Sequence, residues 1–415
     1  MRIALVNTHR ARVGGAETYL DTIVPALSAA GMRLALLSEI DASAELPSIR
    51  LPADAPCWPA HEIGWPRALT NLADWHPDVI YAHGMHDVAA AGRIIEIAPS
   101  VLFAHGYYGT CISGHKMFAV PSARPCARRF GWPCLVQFYP RRCGGLSPSR
   151  MLRGYREQSA RLALMHRYCA VLTASEHMRA ELLNHGLSAD RVHAVRLPIA
   201  LPHAPQAEQA AREKAPAANR PLRLLYVGRM TPLKGGPLMF DALELAADSL
   251  AQPLSAVFVG DGPDRARWER KARKMPAAGK LAIEFRGWMD AAGLDRLMRE
   301  SDLLVVPSTW PEPFGLAGAE AGLRGLPAVA FAVGGIPEWL RDGLNGRLAP
   351  GDPPSAAGLA QAIVDCLRDP AELERLRRGA RAAAAGFSVE AHVDALLGIF
   401  SRIAAAAPAR SASRR

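Results

Sequence analysis

The chain writes one structural alternation twice. In the first half RIALVNT, RLALLSE, DVIYAHG, VLFAHG and the start of CAVLTASEHMRAELLNHG read as short apolar strands. Helical stretches separate them, such as GAETYLDTIVPALSAAG, which Gly31 stops. The pattern resumes after the Ala-, Pro- and Gln-rich stretch PHAPQAEQAAREKAPAANRP, with LRLLYVG, LSAVFVG, LAIEFRG, DLLVVPS and LPAVAFAVGG. Strands alternating with helices fit a parallel sheet covered on both faces. The predicted fold class is therefore α/β: two doubly wound, Rossmann-like parallel-sheet domains facing each other across a cleft. The first domain spans 1–202, with a Cys-rich basic insertion at 106–150. A linker follows at 203–221, then the second domain at 222–387, a final helix at 388–406 and a disordered basic tail at 407–415. Ligands of such sheets bind at the carboxyl ends of the strands, so the cleft is the expected site.

A length of 415 residues suits two or three domains. No apolar run approaches the ~18–20 residues a membrane span needs. The start, MRIALVNTHRARVGG, has too short an apolar core for a secretory signal. The expected location is cytoplasmic. Net charge is +10 and uneven. From His105 to Arg150 there is no acidic residue, while Lys116, Arg124, Arg128, Arg129, Arg141, Arg142 and Arg150 give a local +7. Such charge favours phosphate-bearing or anionic-lipid partners. Tyr107, Tyr108, Phe118, Phe130, Trp132, Phe138 and Tyr139 lie in the same stretch. Basic plus aromatic suits peripheral contact with the cytoplasmic face of an inner membrane, or a grip on a lipid-phosphate acceptor. Stacking on nucleic acid uses similar chemistry, but no RNA- or DNA-binding module surrounds the segment, and no nucleic-acid partner is expected. Cys111, Cys126, Cys134 and Cys143 also fall here. Four thiolates suit a structural zinc ion, although gaps of 14, 7 and 8 residues contain no CxxC knuckle.

The densest local signal is PEPFGLAGAEA. Pro311 and Pro313 stiffen a loop that becomes a helix near Gly315. Glu312 precedes the helix start and Glu320 lies between one and two turns inside it. The unpaired N–H groups of Phe314, Gly315 and Leu316 make an anion site between the two carboxylates. That arrangement suits a ligand with hydroxyls at both ends and phosphates in the middle, such as a nucleotide sugar. In YVGRMTPLKGG a strand ends at Gly228, and Arg229 and Lys234 follow on a loop. Cations there suit a diphosphate, and a turn with two solvated charges is the plainer reading. Gly260 and Gly262 of GDGP permit close approach of a ligand or merely a tight turn. Glu338 of GGIPEWL opens a helix, where it complements the dipole or serves a ligand. Gly14 and Gly15 turn the chain tightly from the first strand into its helix. His105 ends a strand in the expected cleft, as do His9, His83 and His86.

The order GGAE, HG, GRMTPLKG, GDGP, EPFGLAGAEA and GGIPE resembles a retaining glycosyltransferase of family 4, of GT-B fold, over roughly residues 1–400. The resemblance implies that the second domain holds a nucleotide-diphosphate sugar, a UDP- or GDP-sugar. Arg229 and Lys234 would neutralise the diphosphate, Glu320 would hold the ribose, and Glu312 the donor-sugar hydroxyls. Phe314, Gly315 and Leu316 would supply backbone donors beside Gly228, Gly260 and Gly262. Gly14 and Gly15 would approach the phosphates, and His105 the donor sugar. A glycan or lipid-linked acceptor would bind the first domain, and the last helix would cross back onto it. No cofactor or metal is expected: no DxD triplet is present, so a hexosyltransferase-type reaction would run without metal. A role in bacterial surface polysaccharide synthesis is the expected setting. The alternatives are another GT-B enzyme, an epimerase or phosphorylase, or a non-catalytic protein binding polyanion or membrane.

Overall fold

A computed structural model describes residues 1–40, 46–199, 220–275 and 280–406. Most of the expected linker and the whole expected tail lie outside the described residues. The first half contains β1 (Arg2–His9), α1 (Gly15–Ala29), β2 (Arg33–Ile40), β3 (Cys57–Pro59), α2 (Ala60–Ile63), α3 (Trp65–Asp74), β4 (Val79–Ala82), α4 (Val88–Ile94) and β5 (Ser100–Ala104). It continues with β6 (Met117–Phe118), β7 (Arg124–Pro125), α5 (Pro133–Gln137), α6 (Pro148–Met165), β8 (Ala170–Thr173), α7 (Glu176–Asn184) and β9 (Val192–Ala194). The second half contains β10 (Leu222–Val227), α8 (Gly236–Ser249), β11 (Leu254–Val259), α9 (Arg265–Arg273), β12 (Leu281–Gly287), α10 (Ala291–Glu300), β13 (Leu303–Val306) and α11 (Leu316–Leu323). Then come β14 (Ala328–Phe331), α12 (Ile336–Trp339), β15 (Gly346–Ala349), α13 (Ala356–Leu367), α14 (Pro370–Ala384) and α15 (Val389–Ala406).

Both large sheets are parallel and doubly wound. The first runs β3-β2-β1-β4-β5-β8-β9, and the second β12-β11-β10-β13-β14-β15. Strand order reverses between β1 and β4 and between β10 and β13, which opens a crevice at the carboxyl end of each sheet. The strands read as apolar runs because both faces are covered: Ile3, Ala4, Leu5 and Val6 of β1 are all fully buried. Two strands escape the periodicity argument. β3 is three residues long, and β15 follows the turn RDGLNG, where only its pairing with β14 makes it a strand.

α15 ties the halves together. Val393, Leu396 and Phe400 are buried in a core that is continuous from the first sheet to the second. Each such side chain is worth roughly 1.5–3 kcal/mol in apolar burial. Tyr19 of α1 and His392 of α15 share a 2.7 Å hydrogen bond, and the other ring nitrogen of His392 meets the Arg196 carbonyl at 2.6 Å. The Phe400 ring lies 5.0 Å from that of Tyr81 on β4. The stretch Pro370–Ala406 is long and apolar enough to cross a membrane by length and composition alone, contrary to the sequence expectation. It is two helices with a break near Phe387, and its apolar side chains serve the core.

The insertion after β5 has little regular structure: the two-stranded antiparallel sheet β6–β7 and the short α5. Its own core is small, built on Ile112, Phe130 and Phe138. Lys116 pins it to α7 through a buried 2.6 Å ion pair with Glu181. This corrects the sequence charge count, because Lys116 is neutralised inside the fold. Arg124 and Arg141 lie over the Phe118 ring at 5.9 and 5.3 Å, while Arg128, Arg129, Arg142 and Arg150 are exposed.

Candidate active site

The crevices of the two sheets face each other, and the chain ends its strands there with chemistry. After β10, Pro232–Lys234 forms a short 3-10 turn that delivers the Lys234 side chain into the cleft. Gly235 makes this possible at φ +68°, since a Cβ there would stand 1.8 Å from the Pro307 carbonyl oxygen. After β13, the loop Pro307–Pro313 carries Glu312 to the same point. Glu312 is 5 % exposed and paired with Lys234. The Lys234 ammonium also lies 5.3 Å from the Trp310 ring centre. A buried ion pair is a poor device for stability, because desolvation offsets most of its attraction. Its placement at a topological switch point fits a ligand site better.

A cavity of about 510 Å³ opens between the domains at this pair. Gly15, His105, Gly228, Lys234, Glu312, Phe314, Gly315 and Leu316 line it, so the structure brings these expected residues together. Gly315 caps α11 in the left-handed region at φ +92°, which turns the start of that helix toward the cavity. The other expected residues stand off the wall. Gly14 caps α1, with its N–H donated to Glu17 at 2.9 Å. Arg229 is exposed beside the cleft. Gly260 serves packing, since a Cβ there would meet the Gly228 carbonyl oxygen at 2.1 Å; Gly262 likewise lets its loop approach the backbone of Met230. Glu320 sits one turn into α11, half-buried, and burial pushes its carboxyl above the usual range.

A second cavity, of about 220 Å³, lies inside the first domain. Its upper wall is polar, with Asn7, His9, Glu17, His83, His86 and Arg161, and its floor is apolar, with Ala91, Leu102, Leu164 and Met165. Asn7 donates to Glu17 at 2.8 Å, and the Arg161 guanidinium donates to the Met85 and His86 carbonyls at 2.6 and 3.1 Å. Three buried polar atoms of this wall have no partner: His9 Nδ1, His83 Nε2 and Arg161 Nε. Orphaned polar atoms around one cavity are costly unless something binds there. Sequence reading singled out the histidines but not Arg161, which lies mid-helix on α6 and reads as one more surface cation.

His105 and Ala16 line both cavities. His105 Nε2 and His83 Nδ1 are 3.0 Å apart. Burial pushes His105 down to about 3 and holds His83 well below the usual histidine range, so both rings are neutral at pH 7. With one nitrogen of each ring used in that bond, the pair as a whole offers one donor and one acceptor to a neutral hydroxyl rather than a charge to an anion.

The Cys143 thiol is pushed up to about 12, first by burial and then by the neighbouring thiols of Cys111, Cys126 and Cys134. Among the described residues, no three histidine, cysteine or acidic side chains are arranged to hold a metal ion, these four thiols included. All seven cysteines are free.

The family model for "Glycosyl transferases group 1" matches residues 207–383, and that for "Glycosyltransferase Family 4" matches residues 13–201. The chain is 35% identical over 225 residues to D-inositol 3-phosphate glycosyltransferase 1 of Catenulispora acidiphila, covering 52% of this chain and 53% of that protein. It is 35% identical over 213 residues to a D-inositol 3-phosphate glycosyltransferase of Geodermatophilus obscurus, covering 50% and 45%. The chain thus spans about half the length of the curated relatives it matches. Among solved structures, Anabaena HepE in complex with UDP-glucose superposes with a TM-score of 0.68 at 20% identity, covering 96% of this chain and 99% of that one.

Proposed function

Because this chain belongs to the group 1, family 4 glycosyltransferases, we propose that it moves a sugar from a nucleotide-diphosphate donor in the interdomain cavity to an acceptor hydroxyl in the smaller one. The observation that carries the reading is the shared wall. Two cavities of different chemistry, one with the Lys234–Glu312 pair and one rimmed by hydrogen-bonding side chains, meet at His105 and Ala16. Two ligands whose reacting ends meet at one wall are what group transfer needs.

In this reading the diphosphate draws Lys234 away from Glu312, with Arg229 closing over it from the rim. Lys234 stabilises the leaving group, and the freed Glu312 carboxylate accepts from donor-sugar hydroxyls. Neutral His105 bonds the donor sugar at the junction. The reaction retains anomeric configuration by front-face departure and attack, with Glu312 positioning the sugar, and it uses side-chain cations in place of a metal. The donor is a UDP- or GDP-hexose; a fold neighbour is described with UDP-glucose. The acceptor presents a polyhydroxylated ring to the 220 Å³ cavity, in keeping with relatives named for D-inositol 3-phosphate. We read that ring as the end of a glycan or lipid-linked phosphate. The exposed arginines of the insertion would hold it at the cytoplasmic face of the inner membrane, as in surface polysaccharide assembly.

The test of the donor site is thermal stabilisation by UDP, GDP or ADP in EDTA. One nucleotide at 100 times its Kd should add about 2.7 kcal/mol of stability by mass action. Stabilisation that disappears in EDTA, or none with any nucleotide, sinks the metal-free donor site. For the acceptor side, the triple reversal Arg128→Glu, Arg129→Glu and Arg142→Glu should release the protein from vesicles containing anionic lipid and raise the acceptor KM. Unchanged partition and KM would remove the insertion from acceptor binding.

A further inference from the structure

The wall of the cleft is held by hydrogen bonds that cross from one domain to the other, and they converge on the two prolines beside Glu312. Tyr107 Oη donates to the Pro311 carbonyl at 2.7 Å. Ser175 Oγ donates to the Pro313 carbonyl at 2.6 Å. Both donors belong to the first domain and both acceptors to the second. A third link runs from the second domain back: the Glu338 carboxylate accepts from the backbone N–H groups of Glu176 and His177, each at 3.0 Å.

Each link is built for its place. Tyr107 is 1 % exposed, and its ring packs edge-on against Trp310 at 6.1 Å. With the phenol proton committed to Pro311, its oxygen takes a hydrogen bond from His177 Nε2 at 3.0 Å. Burial keeps His177 below the usual histidine range, so no charge is stranded there. Glu338 takes two of the four N–H groups that the start of α7 leaves without intrahelical partners, at the positive end of that helix. On its own helix α12, only four residues long, the same carboxylate would have little dipole to complement. The GGIPE glutamate thus serves a helix of the opposite domain.

Tyr107 has a second connection. Its neighbours Gly106 and Tyr108 line the 220 Å³ cavity, and His105 lies two residues before it. One residue therefore joins the wall of the smaller cavity to the loop that carries Glu312.

We propose that Tyr107 and Glu338 are positioning residues for the transfer reaction, a latch that holds the Pro311–Pro313 loop against the first domain so that Glu312 faces His105. The proposal rests on the functional reading above for its consequence and on geometry alone for the latch. Small misplacements of a reacting group cost large factors in rate, which is what such a latch prevents.

Hydrogen exchange on the full chain tests the latch without any assay. Glu338→Ala should speed exchange of the amides of Glu176 and His177 at least ten-fold, and Glu338→Gln, which keeps an acceptor oxygen, should restore part of the protection. Unchanged exchange in Glu338→Ala overturns the latch. Kinetics test the positioning role, with UDP-glucose and GDP-mannose as probe donors and water as acceptor. Tyr107→Phe, which deletes one hydroxyl, should lower kcat ten-fold or more while the Kd for free nucleotide stays within two-fold. A kcat within two-fold of the unmodified protein overturns the positioning role, even if Tm falls. Should the unmodified chain turn over neither donor but exchange respond to Glu338→Ala, the functional reading fails and the latch stands.

Discussion

If the proposed transfer is right, Lys234→Ala should lower donor turnover by about 10²- to 10³-fold, the usual cost of removing one preorganised charge at a developing anion. Lys234 is the one cation lining the 510 Å³ cavity among the described residues, and its turn is fixed by Gly235 against Pro307. The substitution also leaves Glu312 buried without its partner. Breaking a buried pair costs roughly 3–5 kcal/mol, and the partial exposure of Lys234 puts this case at the lower end. Two further variants separate the effects. Lys234→Arg keeps the charge and should retain more activity than Lys234→Ala. Lys234→Met combined with Glu312→Gln removes both charges, so stability should return while turnover stays low. Steady-state turnover with Tm on the same preparations decides it, and turnover within three-fold in Lys234→Ala would remove Lys234 from leaving-group stabilisation.

Acidification from pH 7 to 5 should destabilise the protein before any ordinary carboxylate titrates. His83, His105 and His392 are buried neutral, with His392 pushed down to about 4 and His105 to about 3 by burial. Above the unfolded histidine value of about 6.5, neither state binds these protons and stability is at its full level. Below it the unfolded chain takes up protons that the folded chain refuses. Stability then falls with a slope of about 1.4 kcal/mol per pH unit for each such group, down to its folded value. For His392 alone that is about 2 kcal/mol between pH 6.5 and 5. Glu181 and Glu320, both pushed up by burial, act with the opposite sign nearer pH 4.5 and soften the lower part of the curve. Unfolding by urea at pH 7, 6 and 5 measures the slope, and His392→Gln should reduce it by about one proton. A stability independent of pH over this range would mean that these rings take up protons in the folded chain.

The interdomain cavity, proposed above as the donor site, was legible because its residues sit in short stretches of sequence. A strand end, a loop cation and a glycine pair put Lys234 at the cleft, and the prolines around Glu312 mark a stiff loop before a helix. The smaller cavity was not. His83, Arg161 and Glu17 come from three separate elements, and only the sheet order β1-β4-β5 with α6 behind it brings them around one cavity. Lys116 shows the opposite limit. It reads as part of a cationic surface, and the fold buries it against Glu181 on a helix 65 positions further along.

The sequence by itself determined the class of fold, because apolar strands alternating with helices leave few other ways to satisfy buried backbone groups. It also determined where cations, carboxylates and glycines fall relative to strand ends, since those are short-range relations. Tertiary structure alone decided which of these residues meet. Gly228 reaches the cavity while Gly260 and Gly262 spend their freedom on loop packing. Glu338 caps a helix in the other domain, and Tyr107 spans to Pro311 across 204 positions of chain. Such contacts depend on how two separately wound sheets dock and on the path of α15 back to Tyr19. No local propensity encodes that docking; it follows from burial and hydrogen-bond satisfaction summed over the whole interface.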